Sequence, residues 1–283
     1  MTPANRHLFH QIYRLNVCVT VKLHFYKYQA TGNDFVVIDN REGNIRLSSA
    51  QISRICDRRF GVGADGLMLI ERDPQLNFNL QYFNSDGSQS LCGNGSRAAV
   101  SFASRLGMIN GRATFNAYDG AHVAELSPEG IVRFKLNDVS AVESHGEDVF
   151  INTGSPHYIR FVSDIKETPV VETGRSIRYA DAFRPGGTNV NFVSLEPDNT
   201  IFVRTYERGV EDETLSCGTG VTAAALAASF QRGYKSPVKI KTLGGELAVD
   251  FEVAETGQTD TSTPRFREIY LSGPAKLVFE GDL

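Results

Sequence analysis

Two cysteines of this chain stand in settings suited to proton transfer. Cys92 opens the stretch CGNGSRAAVSFASRL and Cys217 opens CGTGVTAAALAASFQRG, so each begins a C-G-x-G pattern followed by small and apolar residues that read as a helix. A cysteine at a helix start lies against the positive end of the macrodipole, beside backbone N–H groups that have no intrahelical acceptor. Both features favour a thiolate and can hold a carboxylate. A thiol lowered in this way from its reference pKa of roughly 8.5 can take or give a proton near neutral pH. One such motif alone could be a coincidental helix start over a buried cysteine; the second weakens that reading. Two such groups facing each other suit proton exchange at a weakly acidic carbon. One group removes the proton while the other delivers a proton to the opposite face. The backbone N–H groups of Gly93, Asn94, Gly218 and Thr219 would then stabilise charge developing on the substrate carboxylate, as an oxyanion hole does.

The elements that must position these thiols are themselves repeated. Thr31-Gly32 recurs as Thr153-Gly154, and the glycine-rich turn at Gly61 to Gly63 has a counterpart at Gly186 and Gly187. These pairs share, within a few residues, the separation of Cys92 from Cys217 and keep the same order, which indicates two related halves. Alternating segments, FNLQYF before Cys92 and IFVRTY before Cys217, read as strands. The fold class is therefore α+β, mostly antiparallel, built twice. The helix after Cys217 is small or apolar nearly all round and is expected to be buried inside its own sheet, the helix after Cys92 less completely. Two such helices aimed at one inter-domain cleft would bring the thiols face to face.

Other signals exclude other functions. The four cysteines, Cys18, Cys56, Cys92 and Cys217, include no C-x-x-C pair and no Cys/His cluster at ligand spacing, which argues against a zinc site or a thioredoxin-type centre and fits reduced thiols in an intracellular protein. Cys56 shares a helical face with Ile52 and Ile55 in SAQISRIC and reads as plain core. The run Gly61-Val62-Gly63-Ala64-Asp65-Gly66 spells G-x-G-x-x-G, yet it follows a helix-like segment and precedes the strand-like LMLIE; that order is the reverse of a dinucleotide site. A formal net charge of −4 with no basic run speaks against nucleic acid, and no apolar stretch approaches the roughly 20 residues of a membrane-spanning helix. A soluble globule is expected. The first 22 residues carry Arg6, Arg14 and Lys22 and no acid; they read as an N-terminal extension rather than a signal peptide, because LNVCVTV is a short apolar core without a small-residue cleavage site.

The motifs ATGNDFVVID, FGVGADGL, FNSDGS ahead of LCGNGSR, TGSPH, TNVNF and YERGVEDETLSCGTG together resemble the diaminopimelate epimerase family, from about His24 to the C-terminus. The resemblance implies two pseudo-symmetric β-rich domains, each wrapped round a central helix: residues 23–138, completed by 274–283 as a returning strand, and residues 139–273. It implies conversion of LL-diaminopimelate to the meso form, a step towards lysine and peptidoglycan, with Cys92 and Cys217 as the acid/base pair and neither pyridoxal phosphate nor a metal as cofactor. Cytoplasmic location and a homodimer are likewise implied. Carried over residue by residue, Asn33, Asn84 and Asn189 bind substrate, Arg208 suits the distal carboxylate as a bidentate partner, and Glu207 and His157 orient groups near the reacting carbon. Taken singly, the asparagines would be turn residues, His157 a structural histidine, and Glu207 with Arg208 a solvated pair. Gly66 and Ser155 stand where better-known relatives often have glutamine and asparagine, which leaves the substrate contacts there open. The rivals are a related cofactor-independent racemase for a proline-like substrate, which would not need Arg208, and a thiol redox or binding protein of the same fold.

Overall fold

The alternating segments form strands, Phe78–Asn84 and Thr200–Glu207; the first leads through a loop, the second through the short strand Asp212–Thr214, into a helix that begins directly after a cysteine, Gly93–Arg105 and Gly218–Arg232. The structure, a computed structural model, describes residues 23–254 and 265–283. The N-terminal extension, residues 1–22 with Cys18, lies outside the described residues.

The internal repeat is visible in the strand pairing. In the first half, the hairpin His24–Ala30 and Asn33–Asp39 is joined in parallel by Gly66–Glu71, which pairs antiparallel with Phe78–Asn84. After the helix, Arg112–Ala117 lies parallel to Phe78–Asn84, and Gly120–Leu126 and Ile131–Lys135 follow antiparallel. The second half repeats this order. Its hairpin is Asp148–Asn152 with Pro156–Phe161, joined in parallel by Asn189–Glu196 and then antiparallel by Thr200–Glu207. After its helix come Val238–Thr242 in parallel, then Gly245–Ala254 and Arg265–Pro274 antiparallel. The last strands of the two runs, Ile131–Lys135 and Arg265–Pro274, pair with each other and join the halves. Lys276–Asp282 then returns to pair with His24–Ala30, so the end of the chain closes the sheet that its beginning opened.

Each sheet curls round its helix because the helix is made of residues small enough to be surrounded. Val221 to Ala228 are buried without a break, and in the first helix Gly95 to Val100, Phe102 and Ala103 are buried. A larger side chain on these faces would overpack by about 1–3 kcal/mol. One charged side chain sits in this setting: Arg97 is fully buried, with a hydrogen bond of 3.1 Å from Nη2 to Thr31 Oγ1. Thr31 and Gly32 are the two turn residues of the first hairpin, with φ of 49° and 85°, the left-handed pair that a type I′ turn demands. For a β-branched residue that conformation is rare, and the bond from Arg97 helps hold it.

The G-x-G-x-x-G run does structural work at the end of helix Ser49–Cys56. Val62 and Gly63 donate to the Ile55 carbonyl and Ala64 to the Cys56 carbonyl, capping the helix terminus. A Cβ on Gly61 would fall 2.1 Å from the Arg54 oxygen, so only glycine allows this approach. The order is helix, turn, strand Gly66–Glu71, the reverse of a dinucleotide fold. Ile52 and Cys56 are buried as core residues, while Ile55 is half-buried; burial pushes the Cys56 thiol up to about 11.

Candidate active site

Both C-G-x-G cysteines are N-cap residues with extended backbone, at φ −128° and −114°. The helical ladders begin with Ser96 N–H to the Cys92 carbonyl at 2.8 Å and Val221 N–H to the Cys217 carbonyl at 2.9 Å. The N–H groups of Gly93, Asn94, Gly218 and Thr219 come before those bonds and have no acceptor within their helices. The two helix starts abut. Asn94 Nδ2 donates to the Ser216 carbonyl at 3.1 Å, and a Cβ on Gly218 would lie 3.3 Å from Asn94 Oδ1. Positive ends of two macrodipoles thus converge on one place, a setting for a carboxylate.

A cleft of about 960 Å³ opens over this junction, lined by both free thiols, Cys92 and Cys217. Every sequence-expected site residue lines it except Asn189 and His157, which lie one step behind its wall. On the first side, Asn33 Nδ2 donates to Asp65 at 2.7 Å, leaving its Oδ1 to face the Cys92 sulfur at 3.5 Å and Asn94 Nδ2 at 3.3 Å. The Asn84 amide is held by its own loop, donating to Ser88 Oγ and accepting from Ser90 Oγ. On the second side, Thr214 Oγ1 donates to Glu207 Oε2 at 2.8 Å. The Arg208 side chain donates to the Gly186 carbonyl and, among the described residues, to nothing else, so its guanidinium retains capacity for an anion. Asn189 holds this arginine's backbone: its Oδ1 accepts from Arg208 N at 2.9 Å while Nδ2 donates to Ser155 Oγ and the Pro156 carbonyl.

Burial sets the electrostatics. The expectation of thiols lowered by the helix starts is corrected here, since both are raised. For Cys92, loss of water outweighs the Gly95 N–H bond, with the Glu207 charge pushing the same way as burial and Tyr82 and Arg97 opposing it. For Cys217, burial is again the largest cause, Glu207 adds to it, and the Thr219 hydroxyl and Gly220 N–H oppose it. Glu207 is raised by its own desolvation, against the Thr214 bond. His157, fully buried and near the Arg208 charge, is pushed down to about 3 and is neutral at any ordinary pH.

Four residues near the thiols were not singled out from sequence. Asp65 orients Asn33 from within the glycine-rich run. The Tyr82 hydroxyl favours the Cys92 thiolate, and it occupies the place a side chain at Gly66 would take: a Cβ there would lie 2.7 Å from it. Gly66 and Tyr82 are thus a matched pair. Arg97 could have been found as a lone charge in a run of small residues, and Asn191 as a second asparagine, two after Asn189, in the apolar start of a strand. Among the described residues no group of three or more His, Cys, Asp or Glu side chains is placed to hold a metal ion, and no helix is long and apolar enough to cross a membrane.

Two like halves, each wrapped round a helix that starts on a cysteine at a shared cleft, define the two-domain epimerase fold. Solved structures show the same architecture. A phenazine biosynthesis protein of the PhzF family from Bacillus anthracis superposes with a TM-score of 0.70 at 12% identity, covering 93% of this chain and 99% of that one. A hydroxyproline epimerase from Agrobacterium vitis, with bound trans-4-hydroxy-L-proline, gives 0.65 at 14%, covering 93% and 92%. At such identities the likeness is one of fold. The sequence goes further: the chain belongs to the diaminopimelate epimerase family, whose profile matches residues 25–142 and 149–267. The diaminopimelate epimerase of Flavobacterium psychrophilum is 44% identical over 258 residues, 90% of this chain and 98% of that protein. That of Aquifex aeolicus is 42% identical over 284 residues, 92% and 98%.

Proposed function

We propose that the protein epimerises LL-2,6-diaminopimelate to the meso form, with Cys92 and Cys217 as the two bases. The observation that carries this reading is the pair of N-cap thiols, each at the start of a buried helix, lining one cleft at the junction of two halves. In one direction the thiolate of one cysteine takes the α-proton and the thiol of the other gives its proton to the opposite face. The reverse direction exchanges the roles, and no electrons enter or leave.

Burial raises both thiols, and the substrate's α-ammonium, a cation placed beside them, favours the thiolate. The α-carboxylate settles on the paired helix starts, where the N–H groups of Gly93, Asn94, Gly218 and Thr219 meet the charge that builds up as the proton leaves. Arg208 takes the distal carboxylate, with Asn33 and Asn84 at the opposite wall. Glu207 orients an ammonium, and Asn189 acts by holding Arg208. The thiols must stay reduced, which fits the cytoplasm; a homodimer is carried by the family resemblance. The product serves lysine and peptidoglycan synthesis.

The test is proton NMR of reduced protein with LL-diaminopimelate in deuterated water, with no cofactor added. Loss of the α-proton signal with appearance of the meso isomer, abolished in Cys92→Ala and in Cys217→Ala, is the expected result. No exchange in the wild type, or full activity in either variant, would overturn it.

A further inference from the structure

His157 has no contact with the cleft, yet its ring nitrogens are both engaged, and the direction of each hydrogen bond can be worked out. Asn191 Nδ2 lies 3.3 Å from the backbone carbonyl of Tyr158, a group that can only accept, so the amide nitrogen must be on that side. Its Oδ1 on the other side accepts from Thr205 Oγ1 at 2.9 Å, which agrees. The same Nδ2 faces His157 Nδ1 at 3.1 Å. A donor there requires a lone pair on Nδ1, and for a neutral imidazole that places the ring proton on Nε2. Nε2 is 2.9 Å from Thr219 Oγ1, which must accept. The Thr219 hydroxyl therefore has its own proton free for the next atom, the Cys217 sulfur at 3.6 Å.

We propose that Asn191 is a positioning residue for the reaction: through His157 and Thr219 it fixes the direction of a hydrogen-bond chain that ends by donating to the sulfur of Cys217. The chain runs Thr205, Asn191, His157, Thr219, Cys217, and each link from Thr205 onward donates towards the thiol. A donor aimed at a sulfur favours its thiolate over its thiol. His157 in this arrangement carries no proton to or from substrate; it is a neutral link. The reason lies in its surroundings: it is fully buried, the Arg208 charge acts against its protonation, and no carboxylate is among its hydrogen-bond partners. Glu207 and Cys92 face Cys217 from the cleft and act against its ionisation, so the chain supplies the opposing influence from behind. Cys92 is served differently, by the Gly95 N–H at 3.4 Å and the Tyr82 hydroxyl. A further restraint fixes Asn191 itself: a Cβ on Gly220 would lie 2.4 Å from its Oδ1, so the strand and the helix start are in close contact there.

This inference rests on the reading of Cys217 as one of the two bases, and the experiment separates the two. Long-range proton–nitrogen NMR of the uniformly labelled wild-type protein, with the His157 signals assigned by loss in His157→Gln, reports the tautomer without reference to activity. The expected result is a proton on Nε2 and no titration between about pH 5 and 8. Asn191→Leu, close in shape but unable to donate, is then compared by peptide-resolved alkylation with iodoacetamide across pH. Reaction of Cys217 is expected to move to higher pH by about one unit, a tenfold loss of rate on the rising limb, with Cys92 unmoved. The same variant should lose about tenfold in kcat with KM near the wild-type value. A proton on Nδ1, a His157 titration near neutrality, or a folded Asn191→Leu whose Cys217 alkylates as in the wild type would overturn the proposal. Should Asn191→Leu fail to fold, Thr219→Val removes the last donor and must give the same shift at Cys217. The expected tautomer and shift in a protein that shows no α-proton exchange would support the chain and overturn the reading of the reaction.

Discussion

Asp65 accepts a hydrogen bond from Asn33 Nδ2 at 2.7 Å and by doing so turns the Asn33 carbonyl oxygen towards the Cys92 sulfur, 3.5 Å away. An unrestrained amide could present either end to the cleft, and only one end accepts. Asp65 is itself held by Arg58 at 2.7 Å, which also grips Asp34. Asp65→Ala releases Asn33 while leaving both thiols in place. The expected result is a loss of about tenfold in kcat/KM, the worth of one oriented hydrogen bond, carried mainly by KM. Steady-state kinetics with both isomers check it, and an unchanged KM would show that Asn33 needs no such restraint.

The same cluster sets an acid limit on stability. Burial works against the Asp34 charge, yet hydrogen bonds from Arg58 and Lys27, with their positive charge, hold its carboxyl well below the usual carboxylate range. Lys27 is buried and 2.7 Å from Asp34, so the pair is more than a surface contact; Arg58, more than half exposed, counts for less. A carboxyl with a lowered folded-state pKa stabilises fully above its unfolded value near 4, and that contribution is lost as pH falls from there through the folded value. Urea midpoints should therefore drop below about pH 4 in the wild type. Asp34→Asn should lose about 3 kcal/mol at pH 7, because Lys27 is left buried without its partner, and should show a flatter acid profile. Equal acid slopes in the two proteins would rule Asp34 out as the source.

Tyr82 offers a separate handle on the first thiol. Its hydroxyl opposes the rise that burial imposes on Cys92. Tyr82→Phe keeps the ring against Phe35 and Gly95 and removes the donor alone. The rising limb of the kcat/KM profile is expected to move to higher pH by about one unit, with a tenfold loss on that limb and a melting temperature near the wild-type value. An unmoved limb would mean that the contact is packing only.

What was legible in the sequence were the features encoded locally along the chain. Cys92 and Cys217 could be placed at helix starts because glycine and a run of small residues follow each, and the halves could be matched because Thr31-Gly32 and Thr153-Gly154 each make a hairpin turn between paired strands. The state of the thiols was not legible. A helix start alone lowers a cysteine, and the opposing desolvation exists only once two sheets have closed over the junction. The chain behind Cys217 was hidden for a related reason. His157 and Asn191 lie 34 positions apart and meet only because Pro156–Phe161 and Asn189–Glu196 pair in parallel in one register. Asp65 was visible, but inside a motif whose glycines drew attention to a nucleotide reading that helix order excludes.

Arg97 poses the sharpest conflict between stability and chemistry. Its guanidinium is fully buried, Nε and Nη1 have no hydrogen-bond partner, and among the described residues its one bond goes to a hydroxyl, Thr31 Oγ1. Desolvation lowers its pKa to about 10, and the group offsetting that is the sulfur of Cys92, whose ionised form it favours in turn. A cation in this position costs the fold several kcal/mol of desolvation with little hydrogen bonding in return. If its role is to bias Cys92, then Arg97→Met, similar in length and apolar, should leave the unfolding free energy unchanged or raise it by about 1–3 kcal/mol. The same variant should lose at least tenfold in kcat/KM at neutral pH, with the Cys92 limb displaced upward. Urea unfolding and a pH–rate profile on one preparation decide the matter. A variant destabilised by about 3 kcal/mol whose remaining activity keeps the wild-type pH profile would make Arg97 a brace for the Thr31 turn, and the displaced limb at undiminished stability would make it the countercharge of the thiolate.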